Sequence, residues 1–316
     1  MGRRAAPAEH GRRHLRGGVA LVLLLLASAR PAIAYEPDVH QRLTFHAAHW
    51  LNRCVDGTDV PPLTPLEVRM IASGNTGLAD TPALVRFFRW SYFDPQGRDD
   101  RRWLWLVNTR FTEHFDSLVA GLESADDDAG RYHELGRIVS YIQLVSAPSR
   151  ALPVYAARFW RWNFSDRFEY YPVSDVALQA AMSDDCAFLD DPPESFRGVL
   201  EALATDTRTA VKGPVDAIPA AWTAFWQPAE KPGDFGSYGP AGNRFGQAVT
   251  IPCGDDGDRR CELADDDPAY TAFAVDRHLA AIRATVQAMW LAQQRYGSVG
   301  EPLQSQAAAD EASHVE

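Results

Sequence analysis

The sequence lacks a second long hydrophobic run, has only four cysteines, and carries fewer basic than acidic residues, and each shortage removes a class of protein. The apolar stretch Val19 to Ala27 is too short to cross a bilayer as a stable helix. Nothing comparable follows it, so no transmembrane segment is expected beyond it. The cysteines lack zinc-finger spacing. There is no Gly-x-Ser-x-Gly elbow and no phosphate loop, so a serine nucleophile at 91, 140 or 165 would have no evident base. The aspartate runs at 126 to 128, 255 to 258 and 265 to 267 do not follow calcium-hand spacing and read as solvated charge. No stretch alternates at period two for long enough to demand a sheet, and no internal repeat is visible.

What is present begins with an export signal. Arg3, Arg4, Arg12, Arg13 and Arg16 precede the apolar run, and Ala32-Ile33-Ala34 supplies a small-x-small cleavage pattern. Residues 1–34 are therefore read as a signal peptide, with the mature chain starting at Tyr35 and delivered to the periplasm or the exterior. The pair Arg12-Arg13 loosely suggests twin-arginine export, but the general secretory route is the stronger reading. The whole chain has 31 basic and 42 acidic residues, and the leader holds six Arg and one Glu. The mature chain thus carries 25 against 41, a net charge of −16, which disfavours stable nucleic-acid binding and adhesion to anionic lipid. In an oxidising compartment the four cysteines read as disulfides. Cys253 and Cys261 are close enough in sequence to close a local loop, which leaves Cys54 for Cys186.

Helical periodicity dominates, so the expected class is all-α, in a single multi-helix domain over 35–297 with a polar, disordered tail at 298–316. A first helix is predicted over Val39 to Asn52. Others are predicted after Thr64-Pro65 and after Thr81-Pro82, where Pro sits at a helix start. Further helices are predicted over Phe111 to Ser124, Glu194 to Val211 and Tyr270 to Arg295. The segment Tyr132 to Ala147 is apolar on more than one face, which places it in the middle of a bundle. Pro228 to Cys261 is rich in Gly and Pro and reads as a long surface excursion. His46 and His49, one turn apart without acidic neighbours in sequence, read as a solvated face. The aromatic run Phe159 to Phe164 reads equally well as core or as cleft wall.

Several spacings in this order resemble one family. Tyr35 at the cleavage point precedes His40. Gly77-Leu78-Ala79-Asp80 follows, then Ser91-Tyr92-Phe93-Asp94-Pro95. The longest match is Leu135-Gly136 through Ser140-Tyr141-Ile142-Gln143-Leu144 to Pro148-Ser149-Arg150, and Ser165-Asp166-Arg167-Phe168-Glu169 closes the set. Together they resemble the zinc-dependent phospholipases C and single-strand-specific nucleases, helical proteins that hold three zinc ions in a cleft and hydrolyse phosphodiesters with metal-activated water.

The resemblance keeps the scaffold and loses most ligands. Ser91, Ser140 and Ser165 stand where it implies His, Leu144 where it implies a bridging Asp, and Arg150 where it implies another His. What remains as an implied metal set is Tyr35, His40, Asp80 and Glu169. Hydroxyls are weak donors for zinc and leucine offers none. A guanidinium about 5 Å from a dication opposes it by roughly 6 to 7 kcal/mol at an effective dielectric of about 20. The expected function is therefore a pseudoenzyme whose cleft binds an anionic or phosphate-bearing ligand through Arg150 with Ser91, Ser140 and Ser165, the partner being an anionic small molecule, a phospholipid or a protein. The acids of the cleft are expected to pair with Arg150 or Arg167 in place of metal. The alternative is a metal-dependent phosphoesterase with zinc at a reduced site, in which Asp80 would serve catalysis.

Overall fold

The structure is a computed structural model that describes residues 37–80, 89–93, 108–154, 166–182, 185–216, 218–231, 234–254 and 257–297. All of them fall in one compact unit, Ile33–Glu316. The expected leader, Tyr35, Ser165, the aromatic run 159–164, the tail 298–316 and the helix start at Thr81-Pro82 lie outside the described residues.

The described residues are mostly helical. In chain order α1 is Pro37–Cys54, α2 Pro65–Asp80, α3 Thr112–Glu123 and α4 Asp128–Leu144. Next come α5 (Pro148–Ala151), α6 (Asp175–Ala181), α7 (Phe196–Lys212) and α8 (Pro268–Tyr296). Three small two-stranded pairs complete the order: β1 (Arg89–Tyr92) runs parallel to β2 (Asn108–Arg110), β3 (Trp226–Gln227) antiparallel to β4 (Ser237–Tyr238), and β5 (Val249–Cys253) antiparallel to β6 (Arg259–Leu263).

Local chemistry sets the helix starts. Thr64 and Glu67 form a reciprocal capping box, the Thr64 N–H donating to Glu67 Oε2 at 2.6 Å and the Glu67 N–H to Thr64 Oγ1 at 3.3 Å, with Pro65 at the first helical position. Asp127 caps α4 by accepting from the Gly130 N–H, so that helix starts a turn earlier than its apolar periodicity suggests. Ser195 caps α7 and Asp267 caps α8, so aspartates of two runs that read as solvated charge act as helix caps. The short α6, capped by Ser174 with only Leu178 buried, is too brief for periodicity to reveal.

Helix α4 occupies the middle, with α1, α2, α3, α7 and α8 all packed against it. Every residue from Ile138 to Leu144 is buried. Its crossing with α2 depends on two glycines: a Cβ on Gly74 would lie 2.0 Å from the His133 carbonyl oxygen, and one on Gly136 2.1 Å from that of Ile71. Only hydrogen at both positions lets the two backbones approach so closely.

Two disulfides, Cys54–Cys186 and Cys253–Cys261, tie α1 to the segment before α7 and β5 to β6. Among the described residues no helix is long and apolar enough to cross a membrane. The stretch expected as a surface excursion is more integral than that, because Phe245, Val249 and Ile251 are buried. Phe245 joins an aromatic cluster with Phe168 (ring centroids 5.3 Å), Tyr270 (4.9 Å) and Trp226 (5.5 Å). A Gly- and Pro-rich chain can still bury isolated large aromatics, and these outweigh its turn-forming composition.

Candidate functional site

Two buried polar clusters flank the C-terminal half of α4, and together they account for the implied ligands whose side chains are described.

The first joins α1, α2, α4 and α8. Gln143 is its centre: Oε1 lies 2.7 Å from His40 Nδ1 and accepts from Asn75 Nδ2 at 3.0 Å, while Nε2 donates to Thr44 Oγ1 at 3.1 Å and Thr285 Oγ1 at 3.3 Å. An amide oxygen only accepts, so His40 Nδ1 must carry the proton. Thr44 in turn donates to the His40 carbonyl at 2.9 Å, and Thr285 to that of Ala281 at 2.8 Å. All five residues are buried. Burial depresses the His40 pKa to about 4, against a smaller upward pull from Gln143, so the ring is neutral near neutral pH. The cluster is an uncharged bond network that fixes the register of four helices. Ser140, one turn before Leu144 on the same helix, is fully buried, and its hydroxyl has no hydrogen-bond partner among the described residues. Leu144 itself packs in the apolar core.

The second cluster is charged. Arg150 on α5 meets Glu169 on the 3-10 turn Arg167–Tyr170 in a two-pronged ion pair, Nε to Oε1 at 2.5 Å and Nη2 to Oε2 at 2.9 Å. Its Nη1 donates to the Ser91 carbonyl at 3.2 Å, and its guanidinium lies over the Tyr92 ring. Ser149 Oγ donates to Glu169 Oε1 at 3.3 Å. Asp166, at the start of the same turn, accepts from the Phe168 N–H (2.9 Å), Trp226 Nε1 (2.7 Å) and Tyr238 Oη (2.8 Å). Burial pushes both carboxyls upward, and at Glu169 the adjacent guanidinium pulls the other way. Burial also disfavours the Arg150 charge, but Glu169 beside it outweighs that and holds the guanidinium above its ordinary value. Phe168, packed into the aromatic cluster between the two acids in sequence, fixes the turn that presents them.

The implied metal set is therefore divided. His40 is bonded to Gln143, and Glu169 to Arg150. Asp80 ends α2, its side chain outside the described residues, as are Tyr35 and Ser165. Among the described residues no three His, Cys, Asp or Glu side chains are grouped so as to hold a metal ion. A zinc ion fits poorly beside Glu169, because both carboxylate oxygens are engaged by a permanent cation. Of the implied anion-binding residues, Arg150 is engaged by Glu169, Ser91 contributes its carbonyl, and Ser140 is sealed in the helix interface.

Sequence reasoning missed Gln143, Asn75, Asp166, Trp226 and Tyr238. Gln143 left a signal, as the one amide inside the run Ile138 to Val145. Asp166 stood inside the stretch Ser165 to Glu169 that carries the resemblance, with no role of its own. His46, read as solvated, meets Asp175 at 3.0 Å, a partner 129 residues away. Comparison with protein-family models, with curated proteins and with solved structures gives no match.

Proposed function

We propose that this chain is an exported, non-hydrolytic protein on the phospholipase C and single-strand nuclease plan, in which an internal ion pair has taken the place of metal and phosphate. The observation that carries the reading is the two-pronged Arg150–Glu169 contact: Glu169 sits where an anionic ligand of Arg150 would sit, and Arg150 supplies the charge that a cation would otherwise bring to Glu169. Glu169 is thus a built-in substitute for the anion, and the protein acts by binding rather than by turnover. Export to the periplasm or the exterior is supported by the leader pattern and by two disulfides.

The test is metal analysis of the processed, oxidised protein together with assays on phosphatidylcholine, single-stranded DNA and a chromogenic phosphodiester. The expected result is no stoichiometric zinc and no chelator-sensitive turnover. Stoichiometric zinc accompanied by chelator-sensitive hydrolysis would replace this reading with a metal-dependent phosphoesterase working from a reduced site.

A further inference from the structure

On the face of the molecule where the turn Arg167–Tyr170 meets the loop before β5 lies a pocket of about 430 Å³. Its wall includes Arg167, Tyr170, Tyr171, Asn243, Gln247 and Asp266. That volume is within the range of small-molecule sites, which span about 300 to 1,000 Å³.

Three of the polar side chains there, those of Arg167, Gln247 and Asp266, keep valences that meet no partner among the described residues. Asn243 Oδ1 accepts from the Arg167 N–H at 2.7 Å, and Arg167 Nε donates to the Phe245 carbonyl at 3.3 Å. This fixes the plane of the guanidinium and leaves its two terminal nitrogens without a partner among the described residues. Gln247 is held through its main chain, its N–H bonded to the Arg244 carbonyl and its carbonyl accepting from Tyr270 Oη at 2.8 Å, and its side-chain amide meets no partner among the described residues. Asp266 holds a left-handed backbone, φ +53°, with its N–H on the Gly246 carbonyl. Its carboxylate makes no hydrogen bond or ion pair among the described residues.

Aromatic groups border these polar ones. Tyr170 is 39% exposed. Tyr171 is held by its hydroxyl against Thr271 and by its ring against Phe245. Gly246, at φ +77°, lies so close that a Cβ would stand 3.0 Å from the Tyr171 ring, so the loop follows the aromatic wall only because this residue is glycine.

Planar groups with paired donors and acceptors match the adjacent hydroxyls of a pyranose, and tyrosine rings match its C–H face. One cation and one anion leave the pocket neutral. A nucleotide or sugar phosphate would add negative charge beside Asp266 on a chain whose net charge is already −11. From this combination we infer that the pocket binds a neutral sugar, either a free hexose or the terminal residue of a glycan. The inference is independent of the Arg150–Glu169 cluster, and the metal and turnover assays do not bear on it.

The test uses the oxidised natural protein with methyl glycosides of glucose, galactose, mannose and N-acetylglucosamine, followed by saturation-transfer NMR and calorimetry into the millimolar range. At least one glycoside is expected to bind. Tyr170→Ala and Asp266→Asn should each weaken it about tenfold or more while leaving the unfolding midpoint unchanged, since asparagine tolerates the left-handed backbone. Absence of binding by every glycoside, affinity unaltered in both variants, or binding only of free amino acids or inorganic phosphate would each overturn the inference.

Discussion

Replacing Glu169 by Gln keeps the shape of the side chain and removes the charge that Arg150 faces. Glu169 is fully buried and the Arg150 side chain is 10% exposed, so the guanidinium would be left in a nearly dry site with an amide oxygen, the Ser91 carbonyl and the more distant Asp166. Removing one partner of a buried pair typically costs about 3–5 kcal/mol, because the other charge stays desolvated. In a domain of this size each kcal/mol lowers the melting temperature by about 2–4 °C, so Glu169→Gln should lose roughly 6–20 °C. The assay is thermal and urea unfolding without reductant, followed by circular dichroism and by tryptophan fluorescence, for which Trp226 on the neighbouring Asp166 is a local reporter. Arg150→Met alone should be similarly harmful, since it leaves Asp166 and Glu169 without their cation. The double variant Arg150→Met with Glu169→Leu should recover most of the loss, because apolar replacement of a whole buried pair is often neutral or better. Glu169→Ala should in addition be stabilised by added acetate, which refills the anion seat, while the natural protein is not. A Glu169→Gln loss below about 1 kcal/mol would refute the reasoning and return Arg150 to the role of an available anion receptor.

Two further outcomes follow from the core. His40 and His278 are both buried, and burial depresses each pKa from 6.5 to about 4. The unfolded chain therefore binds these protons first, so stability is complete above about pH 6.5 and is lost as pH falls toward about 4. The loss is about 3 kcal/mol per histidine, and His40→Asn should shrink the acid-induced loss in pH-dependent urea titrations; an unchanged profile would contradict a neutral His40. Gly136→Ala drives a methyl into the Ile71 carbonyl with no flexible side chain able to yield, so its cost should reach or exceed the upper end of the ~1–3 kcal/mol usual for overpacking. Gly77→Ala, which meets nothing within 4 Å, is the matched control in the same denaturation series.

How much was legible beforehand differs from element to element. The start of α2 could be read directly, since Thr64-Pro65 is a local capping signal that needs no partner from elsewhere, whereas α8 begins two residues before the predicted Tyr270 because Asp267, read as solvated charge, caps it. The apolar faces of Tyr132 to Leu144 likewise placed α4 in the middle, because a helix apolar on several faces has to be surrounded. The short α6 and the buried Phe245 were not legible. Their stability comes from contacts with distant chain, which neither period nor turn composition records.

The sequence by itself determined the helical class, the positions of the main helices and the supply of four cysteines in a chain that starts with an export pattern, since all of these depend on neighbouring residues and on counting. Only the tertiary structure decided that His40 meets Gln143 across 103 residues, and that Glu169 meets Arg150 rather than Arg167. The reason is physical: a buried polar group must be satisfied by whatever lies within about 3 Å of it, and that neighbour is fixed by how helices cross rather than by how the chain is spelled.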